Sequence, residues 1–245
     1  GIIILAVDTA IFAIFNSMGT TLPAFIYTNL APVFNATDSL GFAAIATLLV
    51  QFFWFFGVHD AALSGVLGPI RDGGLSVNAA AQAAGEALPN IFTTPFWVYF
   101  VVIGGCGSVL ALAILLIRSK SKQLRTIGRV GIVPAFFNIS EPIIFGVPLM
   151  MNPMFFIPFL LTSTVNAIIA YVCMMTGLVA KTFALLSWNM PSIFGAYLST
   201  FDWKAVVLVV ALIAIDALLY YPFYKAYEKQ LVAQEEADET SAETA

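Results

Sequence analysis

The stretch Pro134-Ala135-Phe136-Phe137-Asn138-Ile139-Ser140-Glu141-Pro142-Ile143-Ile144-Phe145-Gly146 sets a carboxylate inside one of the most apolar parts of the chain. From Ile132 to Leu149, Glu141 is the only charged residue. A charge at membrane depth is costly and marks a functional site by default. Asn138 and Ser140 are residue types that cap a helix N-terminus, and Pro142 suits a first helical turn. A helix that starts here means broken backbone inside the membrane, which is tolerated only where protein buries it or where it lines a cavity. Polar groups at broken helices are how many transporters build a substrate site.

Composition carries the same message outward. The chain is 60% hydrophobic and 10% charged, with a mean hydropathy of +0.94. A soluble domain averages about 25% charged residues, so this is an integral membrane protein. Its apolar runs are long enough for helices and lack the strict alternation of a barrel strand. The expected class is therefore all-α. The net charge of −4 comes from the last 20 residues or so, where Glu228, Glu235, Glu236, Asp238, Glu239 and Glu243 lie. Nothing in the charge pattern points to nucleic acid. Cys106 and Cys173 stand alone, without a C-x-x-C spacing, and read as packing residues. There is one histidine, His59, and no second to join it in a metal site, so no metal or cofactor is expected. The chain opens on Gly1-Ile2-Ile3-Ile4, with neither Met nor a signal peptide, and reads as starting inside or at the edge of a membrane segment.

Residues 1–40 read as a truncated membrane segment, interrupted by Asp8, followed over 20–40 by a surface amphipathic linker. Residues 41–58 are a continuous apolar run. Residues 60–95, rich in Ala and Gly and holding Arg71 and Asp72, never make a span-length run. They are expected to form a helix-loop-helix hairpin, partly re-entrant, closing at Asn90–Pro95. Residues 96–117 read as a span despite Gly104-Gly105-Cys106-Gly107, whose glycines suit close packing better than a phosphate loop. Residues 118–129 hold half of all basic residues and are expected to be a cytoplasmic loop. A second re-entrant hairpin is expected over 131–149 around Glu141, a full span over 151–176, a broken segment over 178–203, and a last span over 204–225. Lys225 and Lys229 place the acidic tail, 226–245, in the cytoplasm, where its polarity predicts disorder. An even number of crossings must separate two cytoplasmic segments, so the two broken segments either both re-enter or both cross.

Several side chains qualify for a site. Glu141 could accept hydrogen bonds from a polar ligand such as a sugar; its alternative role is to satisfy helix N-terminal amides. His59 ends an aromatic run and could be a site residue or an interfacial histidine. Trp54 and Trp188 could cover the apolar C–H faces of a sugar ring or sit in an interfacial belt. No H-E-x-x-H and no G-x-S-x-G elbow is present.

Four blocks then point to a family. Phe53-Trp54-Phe55-Phe56-Gly57-Val58-His59-Asp60, the run from Glu86 to Trp97, the run from Phe137 to Pro153 and the run from Tyr220 to Leu231 resemble the membrane subunit, enzyme IIC, of bacterial sugar phosphotransferase systems. The branch is that of lactose, cellobiose and diacetylchitobiose. The resemblance implies a permease that binds a disaccharide and presents it to a cytoplasmic IIB partner, whose phosphocysteine phosphorylates the sugar, with IIA and HPr upstream. It implies a homodimer in the full-length protein, whose N-terminal half supplies most of the dimer interface. Residues 41–225 would be the substrate-binding transport domain, moving as a rigid body. The resemblance assigns His59, Glu141, Asn138, Trp54 and Trp188 to the sugar, with Glu141 holding the hydroxyl to be phosphorylated and acting as its general base. Two departures touch the presumed pocket: Asp60 stands where the family commonly has Gly, and Trp188-Asn189-Met190-Pro191-Ser192 stands where Trp-Thr-Thr-Pro-Pro is frequent. The competing reading is an ion-coupled secondary transporter for a small polar solute, built on the same broken helices. An intramembrane enzyme using Glu141 and His59 is a further rival.

Overall fold

The computed structural model describes residue 9, residues 12–19 and residues 38–243. The chain divides into two compact units, Gly1–Ser39 and Leu40–Ala245. In the first, residues 12–17 are helical. The surface linker expected over 20–40 falls almost wholly outside the described residues. The second unit carries everything that follows.

Its helices are α1 (Leu40–Phe55), α2 (Ser64–Ala84), α3 (Val109–Ile117), α4 (Lys122–Phe136), α5 (Glu141–Gly146), α6 (Pro153–Met175), α7 (Ser192–Thr200) and α8 (Trp203–Glu243). No strand occurs among the described residues. Three helical stretches are long and apolar enough to cross a membrane: Thr94–Ile117, Pro153–Met175 and Trp203–Ser241. The first is 83% buried and the last 28%. Thr94–Ile117 is therefore the centre of the bundle, and α8 flanks it with one side open. The exposed apolar residues Ile45, Leu49 and Phe52 recur at helical spacing on α1 and give that helix an outward apolar stripe.

The central span is not one helix. Thr94–Phe96 opens it, with the Thr93 hydroxyl accepting from Phe96 N, and a π-helical turn follows over Trp97–Val101. The backbone then leaves helical geometry: Gly104, Gly105 and Gly107 all have positive φ. At Gly105, with φ 94°, an added Cβ would stand 2.6 Å from Ser140 Cβ. Only glycine lets the break press against the segment before Glu141. Backbone groups freed by the break need partners in a membrane interior. Gly107 N donates to Gln51 Oε1 at 2.9 Å. Gly107 O accepts from Tyr220 OH at 2.6 Å and Thr162 Oγ1 at 3.0 Å. Three neighbouring helices thus satisfy one break.

Three expectations need correction. Residues 60–95 are not a helix-loop-helix hairpin. A short 3₁₀ turn, Asp60–Ala62, leads into the single helix α2, and residues 86–93 then return as an extended strap. Asn78 explains the strap. Its Nδ2 donates to Asn90 O at 2.7 Å and Thr182 O at 2.8 Å, and its Oδ1 accepts from Asn90 N at 2.9 Å. One buried amide therefore replaces the partners a second helix would have supplied. Second, most of the basic segment is helix, not loop. Ser121 caps α4 by accepting from Leu124 N at 3.2 Å. Third, the tail is helix as far as Glu243. The 41 residues of α8 extend about 60 Å, twice a bilayer core of about 30 Å, so α8 must project well beyond the membrane. Glu228 accepts from Ser119 Oγ and Lys120 N, each at 2.7 Å. Glu235 accepts from Ser121 Oγ at 2.7 Å and from Lys122 N and Gln123 N, each at 3.0 Å. These carboxylates sit on the free amides at the start of α4, where negative charge is favoured. Glu239 pairs with Lys122 and holds that ammonium above the ordinary lysine range.

Candidate functional site

The segment quoted at the outset folds as helix, break, helix. α4 ends at Phe136, Asn138 takes a left-handed φ of 62°, and α5 starts at Glu141 with Pro142 in its first turn. Ser140 occupies the cap position but makes no side-chain cap bond.

Asn138 holds the break together. Its Oδ1 accepts from Gly104 N and from Ser192 Oγ, each at 3.0 Å. Its Nδ2 donates to Trp188 O at 3.1 Å and Met190 O at 2.8 Å. An asparagine amide has two donor hydrogens and two acceptor lone pairs, so this one is fully engaged. The Asn138 side chain therefore joins three non-contiguous segments, and all of its donors and acceptors are engaged. It belongs to the pocket wall, which differs from the ligand-contacting role the resemblance assigns to it.

Glu141 is the converse case. It is half-buried, and its carboxylate makes no hydrogen bond or ion pair among the described residues. The capping alternative is thereby disfavoured. A carboxylate engaged with helix amides would show those contacts.

His59 lies just past α1. Gly57, with φ 89°, ends that helix and turns the chain toward the pocket. The imidazole packs against Trp54, with ring centroids 4.5 Å apart and planes tilted by 49°. Its Nδ1 accepts from Ala61 N at 3.1 Å, which engages that nitrogen and leaves Nε2 for a ligand. The Asp60 carboxylate lies 3.4 Å from the same Nδ1. Trp54 is buried, and its Nε1 has no hydrogen-bond partner. Trp188 is 61% exposed, in the turn before α7. The Tyr99 hydroxyl holds that segment by donating to Ser187 O at 2.8 Å.

All five residues singled out in the sequence line one cavity of about 440 Å³. That volume falls in the usual range for small-molecule sites. The same cavity is lined by residues that sequence reasoning passed over: Arg71, Trp97, Thr94 and Cys106. Arg71 is buried, with its guanidinium carbon 4.8 Å from the Trp97 ring centroid. The available signal was a lone arginine in an Ala/Gly-rich segment, which gave no sense of what it faced. Chemically the cavity offers one unengaged carboxylate, one imidazole nitrogen, one guanidinium and three indoles. That set suits a polyhydroxylated ring, which takes hydrogen bonds at its rim and stacking on its faces.

The chain matches the family model described as "Phosphotransferase system, EIIC" over residues 1–163. It is 41% identical over 201 residues to the lichenan permease IIC component of Bacillus subtilis (strain 168), covering 80% of this chain and 44% of that one. The cellobiose-specific EIIC component of Geobacillus stearothermophilus is 40% identical over 204 residues, covering 81% of this chain and 45% of the relative. The lactose-specific EIICB component of Streptococcus mutans is 34% identical over 247 residues, covering 99% and 43%. Among solved structures, the transporter ChbC, the IIC component of an N,N'-diacetylchitobiose-specific phosphotransferase system, superposes with a TM-score of 0.83 at 34% identity. That match covers 96% of this chain and 56% of ChbC. The chain thus spans somewhat less than half the length of the curated relatives it matches. With the family model covering most of its residues and a broken-helix bundle of the same fold as ChbC, this chain belongs to the EIIC family of phosphotransferase-system membrane transporters.

Proposed function

We propose that residues 41–225 form the substrate-binding transport domain of a sugar-specific permease. It takes a disaccharide of the cellobiose, diacetylchitobiose or lactose type into the cavity between α1, α5 and the segment before α7. The observation that carries this reading is the unengaged Glu141 carboxylate, which shares one cavity with His59 Nε2 and the indoles of Trp54 and Trp188. The sugar lies against the indoles of Trp54 and Trp188, which line the same cavity, while Glu141 accepts from the hydroxyl to be phosphorylated. A IIB partner, itself served by IIA and HPr, presents a phosphocysteine. The sugar oxygen bonds to phosphorus as the S–P bond breaks. Its electron pair stays on the cysteine sulfur, and the hydroxyl proton passes to Glu141 as general base. Release follows movement of the domain within a homodimer in the cell membrane. The bonds from Glu228 and Glu235 to residues 119–123 support one shared side for the basic segment and the C-terminal helix, and the basic residues there favour the cytoplasm.

The test is calorimetric titration of cellobiose, diacetylchitobiose, lactose and glucose into the purified protein, with Glu141→Gln and His59→Ala beside it. Disaccharide binding that weakens at least roughly tenfold in both variants, as expected for lost charge-assisted or buried hydrogen bonds, supports the assignment. Unchanged binding in both would make the two residues structural. Absence of sugar binding in the unaltered protein would favour the ion-coupled alternative.

A further inference from the structure

Arg71 is the unexplained charge of the cavity. It is only 9% exposed. Arginine is rarely so buried unless it is paired. Yet among the described residues no carboxylate lies within ion-pair distance of it, and its Nε is buried without a partner. Asp60 and Asp72 are close enough to act on it through space. However, the Asp72 carboxylate is already taken by the Thr94 hydroxyl. The guanidinium face rests on Trp97 at 4.8 Å. Stacking of that kind fixes the plane of the group and leaves its edge donors free.

Among the described residues Arg71 is also the only lysine or arginine lining the cavity, which otherwise carries the acids Asp60 and Glu141. Arg71, Glu141 and Cys106 line the same cavity. A neutral disaccharide gives no reason to maintain a buried, unpaired cation there. A phosphorylated one does. A phosphate monoester carries a charge of about −1.5 to −2 near neutrality, and two carboxylates would repel it. A guanidinium edge offers parallel N–H donors that match phosphate oxygens.

We propose that Arg71 is the phosphoryl subsite of the cavity, holding the phosphate of the phosphorylated disaccharide through its free guanidinium edge while Trp97 fixes its plane. This rests on the sugar-binding reading above and adds a ligand class to it, the anionic product. Arg71 then receives the phosphoryl group as the hydroxyl next to Glu141 acquires it, and offsets the charge that the two carboxylates would otherwise resist. The cation makes the pocket tolerant of its own product, so release depends on the domain moving and not on repulsion.

The experiment compares cellobiose with cellobiose 6'-phosphate as ligands of the purified protein, by titration calorimetry, for the unaltered protein, Arg71→Gln and Arg71→Lys. The unaltered protein binds both. In Arg71→Gln the ratio of phosphate-ester affinity to cellobiose affinity falls by roughly ten- to a hundredfold, the range for losing a charge-assisted contact. Arg71→Lys keeps a point charge without the fork and gives an intermediate ratio. Equal loss of both ligands, or an unchanged ratio, overturns the proposal. Failure of the unaltered protein to bind the phosphate ester also overturns it, while cellobiose binding in the same protein would leave the sugar-binding reading intact. If Arg71→Gln does not fold, the Arg71→Lys ratio decides: equality with the unaltered protein rejects a fork-specific phosphate contact. Loss of cellobiose binding by the unaltered protein is instead a failure of the underlying reading.

Discussion

Replacing Asn138 with alanine should uncouple the segments that enclose the pocket. The amide makes four hydrogen bonds, to Gly104 N, Ser192 Oγ, Trp188 O and Met190 O, at 2.8–3.1 Å. At roughly 0.5–1.5 kcal/mol net for each bond, their loss costs about 2–6 kcal/mol. The upper half applies where the stranded groups find no water, as at this 8% exposed position. A second cost comes from the backbone. Asn138 has a φ of 62°, a conformation that asparagine tolerates and that costs alanine about 1–2 kcal/mol. Asn138→Gly removes the same four bonds without that strain, so the glycine variant should be more stable than the alanine variant by about 1 kcal/mol. The assay is equilibrium unfolding in mixed micelles, with titration of the sugar beside it. Because the amide has no group left for a ligand, sugar affinity should fall only to the extent that the pocket loosens. An alanine variant within about 1 kcal/mol of the parent, the worth of a single bond, would refute the argument that this residue ties the break together. A stable variant with abolished sugar binding would show instead that Asn138 contacts the ligand directly.

Other positions give equally direct tests. Gly105→Ala would put a Cβ 2.6 Å from Ser140 Cβ at a φ of 94°, and should lower stability by about 1–3 kcal/mol in the same unfolding assay; a neutral result would mean that the break and the Glu141 segment separate freely. Asp216 and Asn166 share one bond of 2.8 Å, while Asp216 Oδ1 and Asn166 Oδ1 are both buried without a partner. Asp216→Asn supplies an N–H for the open oxygen and should fold at least as stably as the parent, whereas Asp216→Leu removes one bond of Asn166 Nδ2, which keeps Ser108 Oγ at 3.0 Å and Val101 O at 3.4 Å, and should cost about 1 kcal/mol. Equal destabilisation by both would show that the carboxylate itself is required. Glu235→Ala removes the acceptor for Ser121 Oγ, Lys122 N and Gln123 N, so hydrogen exchange at the first turn of α4 should accelerate. Unaltered exchange there would mean that the Ser121 cap suffices alone.

The sequence located the site to a useful degree. A lone glutamate in an apolar run, a histidine after an aromatic run and two tryptophans beside polar breaks all line the same cavity. They were legible because a membrane makes polar side chains expensive, so each one that persists stands out against its neighbours. Arg71 and Trp97 escaped notice for the opposite reason. One sits in a segment of small residues with no span-length pattern, the other in a span where any aromatic reads as packing. Their pairing comes from α2 and the central span meeting in space. The hairpin expected over 60–95 failed similarly: an Ala/Gly-rich composition fits two short helices or one helix and a strap, and the strap is selected by distant partners, Asn78 reaching residues 90 and 182 and Lys181 reaching the carbonyls of Leu88 and Pro89.

The C-terminal segment illustrates the remaining division. Its polarity and acidity forbid it from entering the bilayer, and that much follows from composition alone. Read in isolation, such a segment lacks the apolar surface to order itself. In the folded chain it continues α8 as an unbroken helix, and Glu228 and Glu235 find the free amides at the start of α4. The sequence by itself determined that this is a helical membrane protein with a costly carboxylate at a break, because transfer energies belong to residues and survive without neighbours. Only the tertiary structure decided which groups are spent and which are free. Asn138 is saturated and Glu141 is not, because hydrogen-bond satisfaction depends on partners distant in the chain, and nothing in local sequence encodes that distance.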